Sequence, residues 1–259
     1  MGFDADWLTL REPADARARD ADVFRRALRL VGPGATLLDL GCGTGATARA
    51  FAANGASDLN WRLLDNDPEL LARAAATHPQ ATTHVADLAD IDALPLEGVQ
   101  LVTASALLDL VSKDWVARFA ARLARARIPF YAVLSYDGRM HWDPAERLDA
   151  EVTAAFNAHQ RGDKGFGPAL GPDAGDTAAG IFGDHGFDVT LGQSPWRLDP
   201  QDAALHEALL SGIAEAATEA GCDAAAAWLT RRRGDLANVR AEIGHVDLLA
   251  VPRGLSPSG

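Results

Sequence analysis

The stretch LLDLGCGTGATARA, Leu37 to Ala50, decides how the rest of the chain is read. An apolar run ends in Asp39, and Gly41, Gly43 and Gly45 then follow at alternate positions. Glycine lets the backbone turn through left-handed φ and lets a ligand come close without meeting a Cβ. A buried strand that ends in an acid and turns this tightly into a helix is the mouth of a ligand site. The spacing Gly41-x-Gly43-x-x-Ala46 formally satisfies the G-x-G-x-x-G/A turn of dinucleotide-binding folds, so the glycines alone leave the ligand open.

Strands and helices alternate on either side of this turn. ATLLDL (35–40), NWRLLD (60–65), TTHVAD (82–87), VQLVTAS (99–105) and IPFYAVLSY (128–136) are predicted strands. Between them, GATARAFAANG is a helix stopped by Gly55. DPELLARAAATH is a helix capped by Asp67 with Pro68 in its first turn, and SKDWVARFAARLARA is a third. GFDVTLGQS (186–194) and GHVDLLAVP (244–252) are two further strands, and PADARARDADVFRRALRLV (13–31) is expected as one amphipathic helix. The pattern predicts an α/β fold: a Rossmann-like, doubly wound, mostly parallel seven-stranded sheet with helical cap insertions. The expected organisation is an N-terminal helical segment (1–32), a ligand-binding core (33–136), an insertion or lid (137–174), the remainder of the sheet (175–252) with a helical insertion at 200–242, and a disordered tail (253–259).

With 48% hydrophobic and 23% charged residues, the 259-residue chain is composed like an ordinary globular domain. A formal charge of −12 argues against nucleic acid or an anionic membrane as partner, because neither is attracted at long range. The acidic start MGFDADW lacks the basic region of a secretory signal, and no apolar run reaches the roughly 20 residues of a membrane span. Cys42 and Cys222 are too few for a disulfide framework and lack metal-ligand spacing; reduced thiols in a cytoplasmic protein, with no metal site, are expected.

The acid at the end of the first strand bears on the ligand. An ionised Asp39 beside the turn repels a pyrophosphate, whereas a sulfonium and an ammonium tolerate it. LLDLGCGTG resembles motif I of the class I S-adenosylmethionine-dependent methyltransferases, and three later segments resemble that family's other motifs. WRLLDNDPELL resembles the second, which implies Asp65 on the ribose hydroxyls and Asn66 beside the adenine. VADL resembles the third, which implies Asp87 and the Leu88 amide at the adenine edge. LVTASALLDLV resembles the fourth, with Ser105 lining the cofactor. The resemblance therefore implies S-adenosylmethionine, with S-adenosylhomocysteine as product, held by Asp39, Gly41, Cys42, Gly43, Gly45 and these residues. By analogy with similar sheets, an arginine of the preceding helix, Arg11 or Arg19, is expected on the methionine carboxylate. The family also implies that the last strand is antiparallel.

Methyl transfer is an in-line displacement at an already activated carbon, so the protein supplies alignment, exclusion of water and sometimes a base. Acceptors lie beyond the carboxyl ends of the strands. After the fifth strand, SYDGRMHW and AFNAHQRGDKGFGPALGP concentrate polar groups ahead of a Gly/Pro-rich stretch. His159, His141 and Tyr136 are the candidate general bases, and Asn157, Arg161, Lys164 and Phe166 the candidate acceptor wall. The helical insertion with Trp228 is expected to complete an acceptor pocket or a homodimer surface, and TRRRGD (230–235) to hold an anion or a helix end. The resulting expectation is O- or N-methylation of a small molecule. A NAD-dependent oxidoreductase and a non-catalytic S-adenosylmethionine-binding regulator are the alternatives.

Overall fold

In the computed structural model, which describes residues 4–255, the first strand is the most enclosed. Leu37, Leu38 and Leu40 are fully buried because β1 (Ala35–Leu40) has neighbours on both edges and helices on both faces. The remaining strands are β2 (Leu59–Asp65), β3 (Thr82–Val85), β4 (Leu101–Ser105), β5 (Phe130–Asp143), β6 (Phe187–Gln193), β7 (Trp196–Leu198) and β8 (Arg240–Pro252). Their order is β3-β2-β1-β4-β5-β8-β6, with β7 paired to β8 off the end of this path. The first five run parallel, and β8 lies antiparallel between β5 and β6.

The helices are α1 (Ala5–Ala18), α2 (Ala21–Leu28), α3 (Ala46–Ala53), α4 (Pro68–Thr77), α5 (Lys113–Ala126), α6 (Asp149–Gln160), α7 (Ala174–Asp184), α8 (Ala203–Glu219) and α9 (Ala225–Gly234). The period-2 alternation of the strands divides the core in two. Leu37 and Leu63 face Phe24, Phe51 and Tyr131, while Leu38, Leu40 and Leu64 belong with Phe119, Phe130 and Phe182. Among the described residues no helix is long and apolar enough to cross a membrane.

Three elements differ from the sequence reading. The segment 13–31 is part of two helices, because Asp20 caps α2 through Asp22 N and Val23 N while its own amide donates to the buried Asp247 Oδ2 (2.9 Å). Asp247 Oδ1 takes the amide of Leu134 (2.9 Å), which sits at a left-handed φ of 57° where β5 slips register against β8. One carboxylate thus ties the helix break to the strand bulge. The sheet has eight strands, not seven, since Trp196–Leu198 pairs with the early part of β8. Finally, β5 continues to Asp143, so residues 137–143 are strand rather than the start of an insertion. The helical insertion between β7 and β8 is present as α8 and α9. Of the tail at 253–259, the last four residues lie outside the described residues.

Candidate functional site

The turn after β1 is built from three left-handed glycines, at φ 59°, 54° and 84°. Two of them are required by close approach as well. A Cβ on Gly43 falls 2.9 Å from Leu8 Cδ1, and one on Gly45 falls 2.8 Å from the ring of His78, whose Nε2 meets the Gly45 carbonyl at 3.1 Å. The turn is fastened to the next strand by Asp65: Oδ2 accepts from Gly43 N (2.8 Å) and Oδ1 from Asp67 N (3.1 Å). Asp67 in turn caps α4 through Glu69 N and Leu70 N.

A cavity of about 290 Å³ opens at the carboxyl ends of β1 to β4. This is the topological switch point between β1 and β4, where open α/β sheets take ligands. Its floor is Gly41 and Gly43, and its acidic side is Asp65, Asn66, Asp67 and Asp87. Leu88 and Ser105 through Leu107 form another wall. Arg11 and Leu8 enter from α1, and Lys164, Gly165 and Phe166 from the loop after α6. Among the described residues no group of three His, Cys, Asp or Glu side chains has the geometry of a metal centre.

The residues expected at the cofactor divide accordingly. Arg11, Gly41, Gly43, Asp65, Asn66, Asp87, Leu88 and Ser105 line the cavity, while Arg19, Asp39, Cys42 and Gly45 do not. Asp39 lies beneath the turn, 1% exposed, with Thr103 Oγ1 donating to its Oδ1 at 2.7 Å. Burial pushes its carboxyl up to about 7, so much of its charge is suppressed at neutral pH. The sequence argument that an ionised Asp39 selects the ligand therefore needs correcting: the acidic groups that meet the cavity come from β2 and β3. Burial likewise drives the Cys42 thiol far up, which leaves an inert apolar side chain. Arg19 lies where its charge acts on Asp39, Tyr131 and Asp247, behind the turn.

Arg11 is buried and clamped. Its Nε and Nη2 donate to Asp15 (2.9 and 3.2 Å), and its guanidinium lies 5.0 Å over Trp196, whose indole N–H donates to the same Asp15 (2.8 Å). No hydrogen bond among the described residues engages Nη1.

None of the three candidate bases lines the cavity. The Tyr136 hydroxyl donates to Asn157 Oδ1 (2.8 Å), and Asn157 Nδ2 donates to the Gly138 carbonyl (2.9 Å). Burial drives this phenol well above its ordinary range. His141 is exposed on the far part of β5, opposite Glu242. His159 stands one residue shell back, with Nε2 at 2.8 Å from Glu219 Oε2 and Nδ1 at 3.4 Å from Lys164 Nζ. Arg161 turns outward to Asp173. Of the acceptor-wall set, Lys164 and Phe166 reach the cavity and Asn157 and Arg161 do not.

Sequence reasoning missed Trp115. Its indole N–H donates to the Leu88 carbonyl (2.7 Å), fixing the backbone at that wall of the cavity, and its ring meets Phe166 edge-on at 6.1 Å. On an amphipathic helix it reads only as a core residue. Leu8 and Leu110 are cavity residues with no motif around them.

With the geometry in place, comparison with known proteins is informative. Residues 37–129 match the family model described as a methyltransferase domain. No curated protein sequence matches the chain. Among solved structures, a mycolic acid cyclopropane synthase complexed with S-adenosylhomocysteine is similar at 15% identity, TM-score 0.53, over 89% of this chain and 83% of that one. A cyclopropane synthase of Mycobacterium tuberculosis is similar at 17% identity, TM-score 0.50, over 96% and 94%. A phosphoethanolamine N-methyltransferase of Haemonchus contortus in complex with S-adenosylmethionine is similar at 15% identity, TM-score 0.51, over 96% of this chain and 58% of that one. The fold is shared across nearly the whole length, and the glycine turn, the acid closing β2 and the acid after β3 fall within or at the family match. Residues 37–129 are thus similar to a methyltransferase domain, and the chain shares its fold with these solved structures.

Proposed function

We propose that the protein transfers the methyl group of S-adenosylmethionine to an oxygen or nitrogen of a small-molecule acceptor, under a lid formed by the segment between β5 and α7, residues 144–173. The single observation carrying this reading is that the loop after α6 places Lys164, Gly165 and Phe166 on the same cavity as the glycine turn. A cofactor site closed by a separate loop excludes water and seats a second reactant beside the first.

The residues present fit the cofactor. Each oxygen of Asp65 accepts one backbone amide, which leaves further acceptor capacity for a pair of ribose hydroxyls. Asn66 lies beside the adenine, Asp87 and the Leu88 amide hold its edge, and Ser105 lines its path. Arg11 takes the methionine carboxylate, with Nη1 as the donor that Asp15 does not occupy. Arg19, expected as the alternative, serves instead as counter-charge to Asp39 and Asp247. When bound, the cofactor supplies a methyl group on a positively charged sulfur.

The chain's own residues supply orientation. Tyr136 and Asn157 brace the strand and helix that carry the lid. His159 acts through Lys164 rather than on the acceptor. His141 has no part in the reading. The partner is a small molecule, and the helical insertion walls the cap.

The test is a metabolite extract incubated with the protein and S-adenosylmethionine carrying a labelled methyl group. A labelled small product is expected, and S-adenosylhomocysteine is expected to bind in calorimetry where NADH does not. Tight NADH binding without S-adenosylhomocysteine binding would overturn the proposal.

A further inference from the structure

Two cations face the cavity, and they are held differently. Arg11 arrives with its charge already offset by Asp15 and its plane fixed on Trp196. Lys164 has no carboxylate of the described residues within ion-pair distance; its Nζ contacts only the imidazole of His159, at 3.4 Å. Four cap arginines are paired with acids: Arg161 with Asp173, Arg231 with Glu146, Arg232 with Asp149 and Arg233 with Glu207. Only Lys113 and Lys164 are lysines among the 24 basic residues of the chain.

The geometry behind Lys164 orients it. His159 Nε2 lies 2.8 Å from Glu219 Oε2, so a proton on Nε2 donates there and leaves the Nδ1 lone pair for the ammonium. That contact uses one of three ammonium donors and leaves two for the cavity. The loop itself is pinned. Asp163 Oδ1 accepts from Gly165 N (2.7 Å) and Gly167 N (3.0 Å), Ala169 bridges to Ser112, and Phe166 packs on Trp115. A half-buried lysine on a pinned loop is a placed positive charge. In a chain of net charge −12, an anionic reactant needs one.

Resting on the reading of the chain as a small-molecule methyltransferase, we propose that Lys164 seats an anionic group of the methyl acceptor, a carboxylate or a phosphate. His159 and Glu219 are positioning residues for that lysine. The acidic side of the cavity and Arg11 serve the cofactor, and Lys164 serves the second reactant.

The experiment uses the full chain saturated with S-adenosylhomocysteine, titrated with acetate, inorganic phosphate and, as the neutral control, acetamide. Acetate or phosphate is expected to bind the wild type, with acetamide weaker; which anion binds tighter identifies the group. Lys164→Met is expected to weaken that anion about tenfold, while Lys164→Arg retains it and the affinity for S-adenosylhomocysteine itself stays within about twofold. His159→Ala is expected to weaken the anion by a smaller factor without changing the cofactor. Equal binding of acetate and acetamide, or no response of either anion to Lys164→Met, overturns the proposal. So does a tenfold loss of S-adenosylhomocysteine in Lys164→Met, which would assign the lysine to the cofactor's own carboxylate. Failure of the wild type to bind S-adenosylhomocysteine at all would instead overturn the methyltransferase reading on which this one rests.

Discussion

Asp65 and Arg232 are both buried charges with several hydrogen bonds, yet they belong to regions that work by different means. Asp65 spends its bonds on backbone amides of its own and the preceding turn, Gly43 and Asp67, and keeps acceptor capacity facing the cavity. Arg232 spends its bonds on Asp149 and the Pro144 carbonyl, more than 80 residues away, and does not line the site's cavity. The core around β1 and β2 shapes a site with turns, whereas the cap of α6, α8 and α9 holds itself together with paired side chains. Charge in the first region is available to a ligand; charge in the second is consumed by the fold.

That contrast can be broken most forcefully at Arg232. Its side chain is 3% exposed, so Arg232→Met leaves the part-buried Asp149 without its counter-charge, with only Trp228 and the Glu146 amide still donating to it, and is expected to cost about 3 kcal/mol in urea unfolding. The folded fraction is expected to bind S-adenosylhomocysteine as tightly as wild type; a parallel loss of affinity would make the cap part of the cofactor site. The reciprocal change is Asp65→Ala, expected to weaken S-adenosylhomocysteine about a hundredfold in calorimetry while unfolding stability moves by about 1 kcal/mol. The opposite pattern would turn Asp65 into a structural acid.

Asp39 sharpens the comparison, since it sits in the core yet behaves like a cap charge. Its folded carboxyl titrates at about 7, above the ordinary 3.8, because burial disfavours the ionised form. The fold therefore binds the proton more tightly than the unfolded chain does. The resulting stabilisation is complete below about pH 4 and is lost as pH rises through 7. Asp109, at about 6, acts in the same direction, and His245, pushed down to about 3 by burial, acts in the other. Comparing Asp39→Asn with wild type isolates the first: the variant is expected to lose about 2 kcal/mol less between pH 5 and pH 8. Parallel pH profiles would show that Asp39 keeps its charge. The smallest effect is expected at Asp173→Asn, which removes the exposed pair with Arg161 and should change stability by less than about 0.5 kcal/mol.

The same division governs what the sequence makes legible. The residues expected at the cofactor that line the cavity mostly follow directly on strand ends, so a local string such as LLDLGCGTG or WRLLDNDPELL points to them without knowledge of anything distant. The parallel pairing of the early strands and the cap of α4 are read in this way as well, while the antiparallel final strand follows from the family resemblance. The helix break at Arg19 is not legible in this way, because the Asp247 carboxylate that holds the Asp20 amide lies 227 residues on from Asp20. Full ionisation of Asp39 does not survive its burial, which pushes its carboxyl up to about 7, and burial is a property of packing rather than of the motif. His159 and Tyr136 stand out in the sequence by residue type and by their place after the fifth strand; their partners Glu219 and Asn157 are set by how α6 packs on α8 and β5. Lys164 and Phe166 were legible as a lid from the Gly/Pro-rich loop, while the Trp115 on which that lid rests was hidden in a helix face.

The placement of β8 between β5 and β6 has a consequence for biosynthesis. β6 and β7 leave the ribosome before the only strand with which they pair, so β5, β6 and β7 expose unsatisfied edges until residue 252 has been made. The glycine turn and its four parallel strands can assemble early, but the cap above them has to wait. Nascent chains stalled within the α8–α9 segment are thus the forms of this protein most exposed to aggregation and to proteases.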